Sequence, residues 1–198
     1  HVMGLIACGE FQHPLDEGAH VVFGSTHKTL PGPQGGIIFS NDSQLMDLIS
    51  VAVYPGIVTN HHLMRGPSLA VSLLEMQKHP EYATAVVENA QALGRGLHTR
   101  GIPVVACEHD FTQSHTLIVN VSALGTGKSI AGTLEEANIM CSYTRLPSDL
   151  GTDAIRMGSQ EVTRCGATPA DMDVAADIIA AVLHKTISKS EAQSRIVE

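Results

Sequence analysis

From residue 80 onward the chain alternates short apolar runs with segments of helical period, and this alternation restricts the fold more than any other feature. Ala83, Val86, Val87, Ala90, Leu93 and Leu97 recur at the spacing of one helix face. Pro80 opens that segment and Gly101 closes it, so a helix is expected over residues 80–100. Strands are expected at 103–106 and 116–121, a helix at 128–137, and strands at 139–143 and 154–158. A last helix is expected at 169–184, with Thr168 as N-cap and Pro169 in its first position. The polar tail from residue 188 is expected to fray. Strand–helix alternation of this kind argues an α/β fold.

Before residue 80 the pattern is richer in loops. Residues 2–8 read as a short buried helix, 19–24 and 35–39 as strands, and 25–34 as the loop between them. Asn41-Asp42-Ser43 is an N-cap signal for a helix over 42–52. Residues 54–61 read as loop and 62–78 as helix. The change of character places a domain boundary between 78 and 79, giving domains 1–78 and 79–198.

Composition excludes several classes of function. The formal charge is −8 and the 12 basic residues form no run, whereas a nucleic-acid surface needs clustered Lys and Arg. No apolar stretch approaches the ~20 residues of a membrane span. Cys8, Cys107, Cys141 and Cys165 form no C-x-x-C pair, which argues against a zinc ribbon and fits a reducing, cytoplasmic setting. The chain opens on His1 and runs at once into an apolar segment, which reads as sequence missing upstream.

The segment Thr26-His27-Lys28-Thr29-Leu30-Pro31-Gly32-Pro33-Gln34-Gly35-Gly36 carries the chemistry. A lysine among small hydroxyls and glycines can act as a Schiff-base residue, given partial desolvation and a nearby cation to favour its neutral amine. Thr26 and Thr29 can orient the amine, and Gly32, Gly35 and Gly36 let backbone approach closely. On residue type alone, an exposed loop lysine is the commoner outcome.

The string itself, T-H-K-T-L-x-G-P-x-G-G, resembles the cofactor-lysine segment of the serine hydroxymethyltransferase family. The opening HVMGLIACGEF is similar to that family's segment upstream of the lysine, A-H-V-A-G-L-I-A-A-G. AIRMGSQEVTRCG, residues 154–166, is similar to its C-terminal signature, with Cys165 standing before the final Gly. The resemblance runs along the whole chain but corresponds to only the second half of a family member. It implies the C-terminal part of a fold type I large domain, the fold of pyridoxal-phosphate-dependent transferases, followed by a small C-terminal α/β domain.

By the same resemblance, Lys28 binds pyridoxal 5'-phosphate as a Schiff base, with Thr26 and His27 beside it as catalytic candidates. His27 is open to two readings, proton shuttle or packing. His1 lies against the cofactor's phenolic oxygen, and Gly35 and Gly36 line its edge. Arg156 grips the substrate carboxylate, a task suited to its two parallel donors. Arg164 reads as structural. The aspartate that pairs the pyridine nitrogen, the ring-stacking histidine and the catalytic glutamate lie upstream of His1. Partners are the amino-acid substrate, an aldehyde co-substrate, the missing N-terminal half and a second copy in a homodimer or larger assembly.

Three departures matter. After Tyr54-Pro55-Gly56 the family places a glycine-rich phosphate contact, whereas this chain has Val58-Thr59-Asn60-His61, leaving Thr59 and Asn60 as side-chain candidates. Gln34 stands where the family usually has Arg. Thr144 stands where a family asparagine meets folate, and the loop after it is shortened, which argues against tetrahydrofolate. The expected activity is making or breaking the Cα–Cβ bond of a β-hydroxy-α-amino acid through a glycine carbanion. The altered folate stretch favours a folate-independent threonine aldolase or transaldolase. The alternatives are a folate-dependent serine hydroxymethyltransferase and a non-catalytic half-chain partner. Gly125-Thr126-Gly127-Lys128-Ser129 imitates a phosphate loop but has Ser122 where the motif needs Gly. His61-His62 and His79 lack partners at metal-ligand spacing, so no metal is expected.

Overall fold

The computed structural model describes residues 1–60 and 62–197, with backbone only for Val197. Two compact units divide the chain, His1–Thr84 and Ala85–Glu198.

In the first unit, helix α1 (Met3–Ala7) precedes a two-stranded antiparallel hairpin of β1 (Val22–His27) and β2 (Pro31–Phe39). Helices α2 (Ser43–Val51) and α3 (Arg65–Lys78) follow, joined in part by a π-helical turn over Ala52–Ile57. Asp42 caps α2 by accepting the Leu45 N–H at 3.0 Å, as the sequence signal indicated. The core here is small: Met3, Leu30 and Met76, flanked by Cys8, Val22, Ile37, Leu69 and Tyr82. α3 packs on β2, and the Ser72 hydroxyl donates to the Pro31 carbonyl at 3.1 Å.

The expected loop over 25–34 is largely strand. Pairing continues from Ser25↔Gly36 to His27↔Pro31 across a register shift, so Lys28 sits at the tip of a hairpin. Glycines and prolines suggest a loop by local propensity, but here pairing between strands decides. The expected strand over 19–24 likewise starts later, at Val22.

Helix α4 (Glu81–Thr99) contains the division between the units. In the second unit its Val86, Ala90, Leu93 and Leu97 are buried, which is the stripe the sequence predicted. β3 (Thr116–Asn120), β5 (Asp153–Gly158) and β4 (Ser142–Arg145) form an antiparallel sheet in the order β3-β5-β4. Helices α5 (Gly127–Glu135), α6 (Gln160–Arg164), α7 (Pro169–Leu183) and α8 (Lys189–Val197) complete the unit. Leu117, Val119, Ile155 and Met157 from the sheet join Leu93, Leu97 and the α7 residues in one core. The Asp171 carboxylate accepts the Thr168 N–H at 2.8 Å at the start of α7.

Three expectations fail in this unit, the first being the strand expected over 139–143, which forms only over Ser142–Arg145. Residues 103–106 make only a bridge, Val104↔Val119, because Pro103 has no N–H and Ala106 turns left-handed at φ 60°. The tail is helical rather than frayed. Ser188 Oγ accepts the Glu191 N–H at 3.1 Å, Ala192 is fully buried, Arg195 pairs with Asp177 at 2.7 Å, and Lys189 pairs with Glu136.

Candidate functional site

The hairpin tip assembles the lysine site. Lys28 Nζ lies 2.8 Å from His1 Nε2. The contact is fixed from behind by Thr29, which is fully buried. Its hydroxyl donates to the His1 carbonyl at 2.6 Å and accepts the Gly4 N–H at 3.0 Å. Gly4 is required by this approach: a Cβ there would stand 2.2 Å from the Thr29 carbonyl oxygen. Packing the start of α1 on the hairpin through Thr29 thus brings the His1 imidazole to an amine 27 positions away.

Thr26 and His27 shape the strand ends. Thr26 is buried, and its hydroxyl donates to the Pro33 carbonyl at 2.6 Å. His27 is exposed, and its Nδ1 accepts the Gly35 N–H at 3.3 Å, so in this arrangement it braces the hairpin. A Cβ on Gly35 would lie 2.9 Å from Arg65 Nη1 and 3.2 Å from Thr26 Oγ1. Glycine therefore keeps a notch open beside a guanidinium. Gly36 and Asn60 line a cavity of about 550 Å³ together with His62 and Arg65. Thr59 is exposed and does not line it, and neither does Lys28. The amine thus stands on an open edge of this chain, and its geometry rather than the cavity defines the site.

These residues fit pyridoxal phosphate. A hairpin-tip amine with an imidazole at hydrogen-bond distance suits its aldehyde. The notch kept by Gly35 next to Arg65 suits an anionic phosphate, which guanidinium binds well. The sequence did not single out Arg65, and it offered His62 only as a rejected metal ligand. The one available signal was Gly35, whose missing Cβ admits the arginine.

Arg156 lies in the second unit, at the centre of the sheet. It pairs with Ile118 of β3 on one side and Ser142 of β4 on the other. Residues paired across strands share a face. Ser142 and Arg156 are therefore on one face, with Thr144 one row along opposite Ala154. The other face carries the buried Leu117, Val119, Ile155 and Met157. Among the described residues, the side chains of Ser142, Thr144 and Arg156 make no hydrogen bond or ion pair. Three polar groups are thus presented together on the sheet face away from the core.

The phosphate-loop imitation is closed by the chain itself. Gly127 N–H donates to Asp153 Oδ1 at 2.8 Å, and Thr126 Oγ1 accepts the Ser129 N–H at 3.2 Å. The Gly127 amide holds the Asp153 carboxyl below the ordinary carboxylate range, with help from Thr152. Among the described residues no three His, Cys, Asp or Glu side chains converge as metal ligands, and His61 lies outside those residues. No described helix is long and apolar enough to cross a membrane.

Comparison with known proteins adds ancestry to this geometry. The serine hydroxymethyltransferase family profile matches residues 1–179. The serine hydroxymethyltransferase of Methanopyrus kandleri is 46% identical over 205 residues, which cover 100% of this chain and 47% of that protein. The enzyme of the same name from Thermoplasma volcanium is 42% identical, again over 100% of this chain and 47% of the relative. Among solved structures, L-threonine transaldolase from Pseudomonas fluorescens, crystallised in an internal aldimine state, superposes with a TM-score of 0.93 at 34% identity. That match covers 99% of this chain and 46% of the transaldolase. The chain spans about half the length of the curated relatives it matches.

Proposed function

Since the chain belongs to the serine hydroxymethyltransferase family, we propose that it supplies the lysine and carboxylate-binding halves of a pyridoxal-phosphate enzyme acting on β-hydroxy-α-amino acids. The reaction makes or breaks the Cα–Cβ bond of threonine, serine or a relative, with glycine or a glycyl unit as the common product. When bound, pyridoxal phosphate supplies an electron-withdrawing ring that stabilises negative charge at Cα.

Lys28 anchors that group through Nζ. His1 Nε2, 2.8 Å away, accepts a proton from Nζ and can return it. Thr29 and Gly4 hold the two side chains in register. Arg65 and the glycine edge hold the phosphate end, with Asn60 and His62 in the adjoining cavity. Arg156 fixes the substrate carboxylate and so orients the bond to be broken. Its lack of an intrachain carboxylate among the described residues leaves the guanidinium available.

The observation that carries the reading is the Lys28–His1 contact at the hairpin tip. Within the family we favour a folate-independent aldolase or transaldolase. Thr144, on the Arg156 face, offers one hydroxyl where an amide would be needed for a pterin edge. The names of the curated relatives favour serine hydroxymethyl transfer. The rest of the fold, comprising the other half of the site, and a second subunit would cover the exposed Phe23, Ile57 and Leu63. Four free cysteines suit a reducing, cytoplasmic setting. The test is to load the full-length protein with pyridoxal phosphate and supply threonine without tetrahydrofolate. Glycine and acetaldehyde should form, and a strict requirement for tetrahydrofolate would reject the favoured mode.

A further inference from the structure

The sheet register offers a second group for the substrate carboxylate. Ser142 stands directly across from Arg156 on the face opposite the core. Side chains in such a pair have Cβ atoms roughly 4.5–5.5 Å apart. The neighbour on the other side is Ile118, an apolar residue. The guanidinium is therefore flanked by hydrocarbon towards β3 and by a hydroxyl towards β4. Ser142 is exposed, and its hydroxyl has no partner among the described residues.

A carboxylate has two oxygens and about four lone-pair sites, of which an arginine fork uses two. A third donor beside the fork can take another. We propose that Ser142 is a substrate-binding residue, whose hydroxyl donates to the carboxylate held by Arg156 and draws it towards β4 rather than β3. This inference rests on the reading of Arg156 given above. It adds that the carboxylate site has a β4 wall, and that Thr144, one row along the same strand and face, is next to whatever extends beyond it.

The test uses the full-length protein loaded with pyridoxal phosphate, with glycine binding followed by titration calorimetry. Ser142→Ala should raise the Kd for glycine about tenfold, the low end for losing a hydrogen bond to a charged group. Ser142→Thr, which keeps the hydroxyl, should restore most of the affinity. The melting temperature should not move, since the side chain is exposed. Arg156→Lys is the companion variant. If it weakens glycine binding while Ser142→Ala does not, the serine proposal is overturned and the arginine reading stands. If neither variant changes the Kd, the carboxylate site itself is misplaced and both readings fall.

Discussion

His1 Nε2 and Lys28 Nζ stand 2.8 Å apart, although 27 positions separate them in the chain. The contact depends on Thr29, which ties the backbone of His1 to the hairpin by one hydrogen bond and the backbone of α1 by another. The amine that would bind the cofactor and the group that would exchange its proton are thus positioned by one buried hydroxyl.

The first prediction concerns the covalent anchor. Borohydride treatment of the full-length protein with pyridoxal phosphate should attach the cofactor to the peptide containing Lys28. Lys28→Ala should abolish that adduct in a peptide mass map. Attachment to any other lysine would end the assignment.

The second prediction concerns the packing beneath the site. A methyl at Gly4 would meet the Thr29 carbonyl oxygen at 2.2 Å, and backbone cannot yield as a side-chain tip does. Gly4→Ala should cost roughly 1–3 kcal/mol, the usual range for overpacking. Gly66→Ala, where nothing lies within 4 Å, is the control and should not destabilise. Thermal unfolding of both variants in the full-length protein decides the matter; equal melting temperatures would contradict the close approach seen here.

The lysine string was legible in the sequence because it is contiguous and resembles a family segment as a whole, whereas residue type alone pointed to an exposed loop lysine. Its hairpin geometry was not, since strand pairing depends on partners that local composition does not reveal. Helix α8 was missed for a related reason. Its sequence is polar, and its order comes from one buried alanine, Ala192, and from ion pairs with residues far away in the chain. The run at 103–106 failed in the opposite direction: its apolar residues promised a strand, but Pro103 and the left-handed Ala106 interrupt the pairing. Arg156 was singled out from a local string by resemblance, whereas Ser142 beside it required the register of β4 against β5.

The third prediction is a dependence of stability on pH. The Gly127 N–H, with Thr152, holds the Asp153 carboxyl below its ordinary value of 3.8. A carboxyl whose pKa is depressed by folding stabilises the folded state above the unfolded pKa. That contribution is lost as pH falls through the folded pKa. Wild type should therefore outlast Asp153→Asn near neutral pH, and the gap in melting temperature should close below about pH 4, as linkage requires. A gap that persists or widens at low pH would show that the carboxylate charge is not what holds the start of α5.

The last prediction concerns folate. A pterin is planar and is recognised along its edge by groups that both donate and accept. An asparagine amide does both at fixed geometry, whereas a threonine hydroxyl is a single short group. Thr144 lies in β4 opposite Ala154, on the face that carries Arg156, so on the proposed reading of Arg156 it would border the substrate without offering paired contacts. Losing a specific polar contact costs on the order of 1–3 kcal/mol, or roughly 5- to 150-fold in affinity. On the proposed reading, breaking the Cα–Cβ bond of threonine would draw on Lys28 and Arg156 and make no demand on position 144. Threonine cleavage by the loaded, full-length protein should therefore proceed at the same rate with and without tetrahydrofolate. Serine cleavage should be slow in both cases, and Thr144→Asn should leave threonine cleavage largely intact. Rates of aldehyde release from the two substrates, measured across a tetrahydrofolate titration, separate the possibilities. A large folate-dependent acceleration of serine cleavage in the wild type would place the protein with the folate-dependent members of its family.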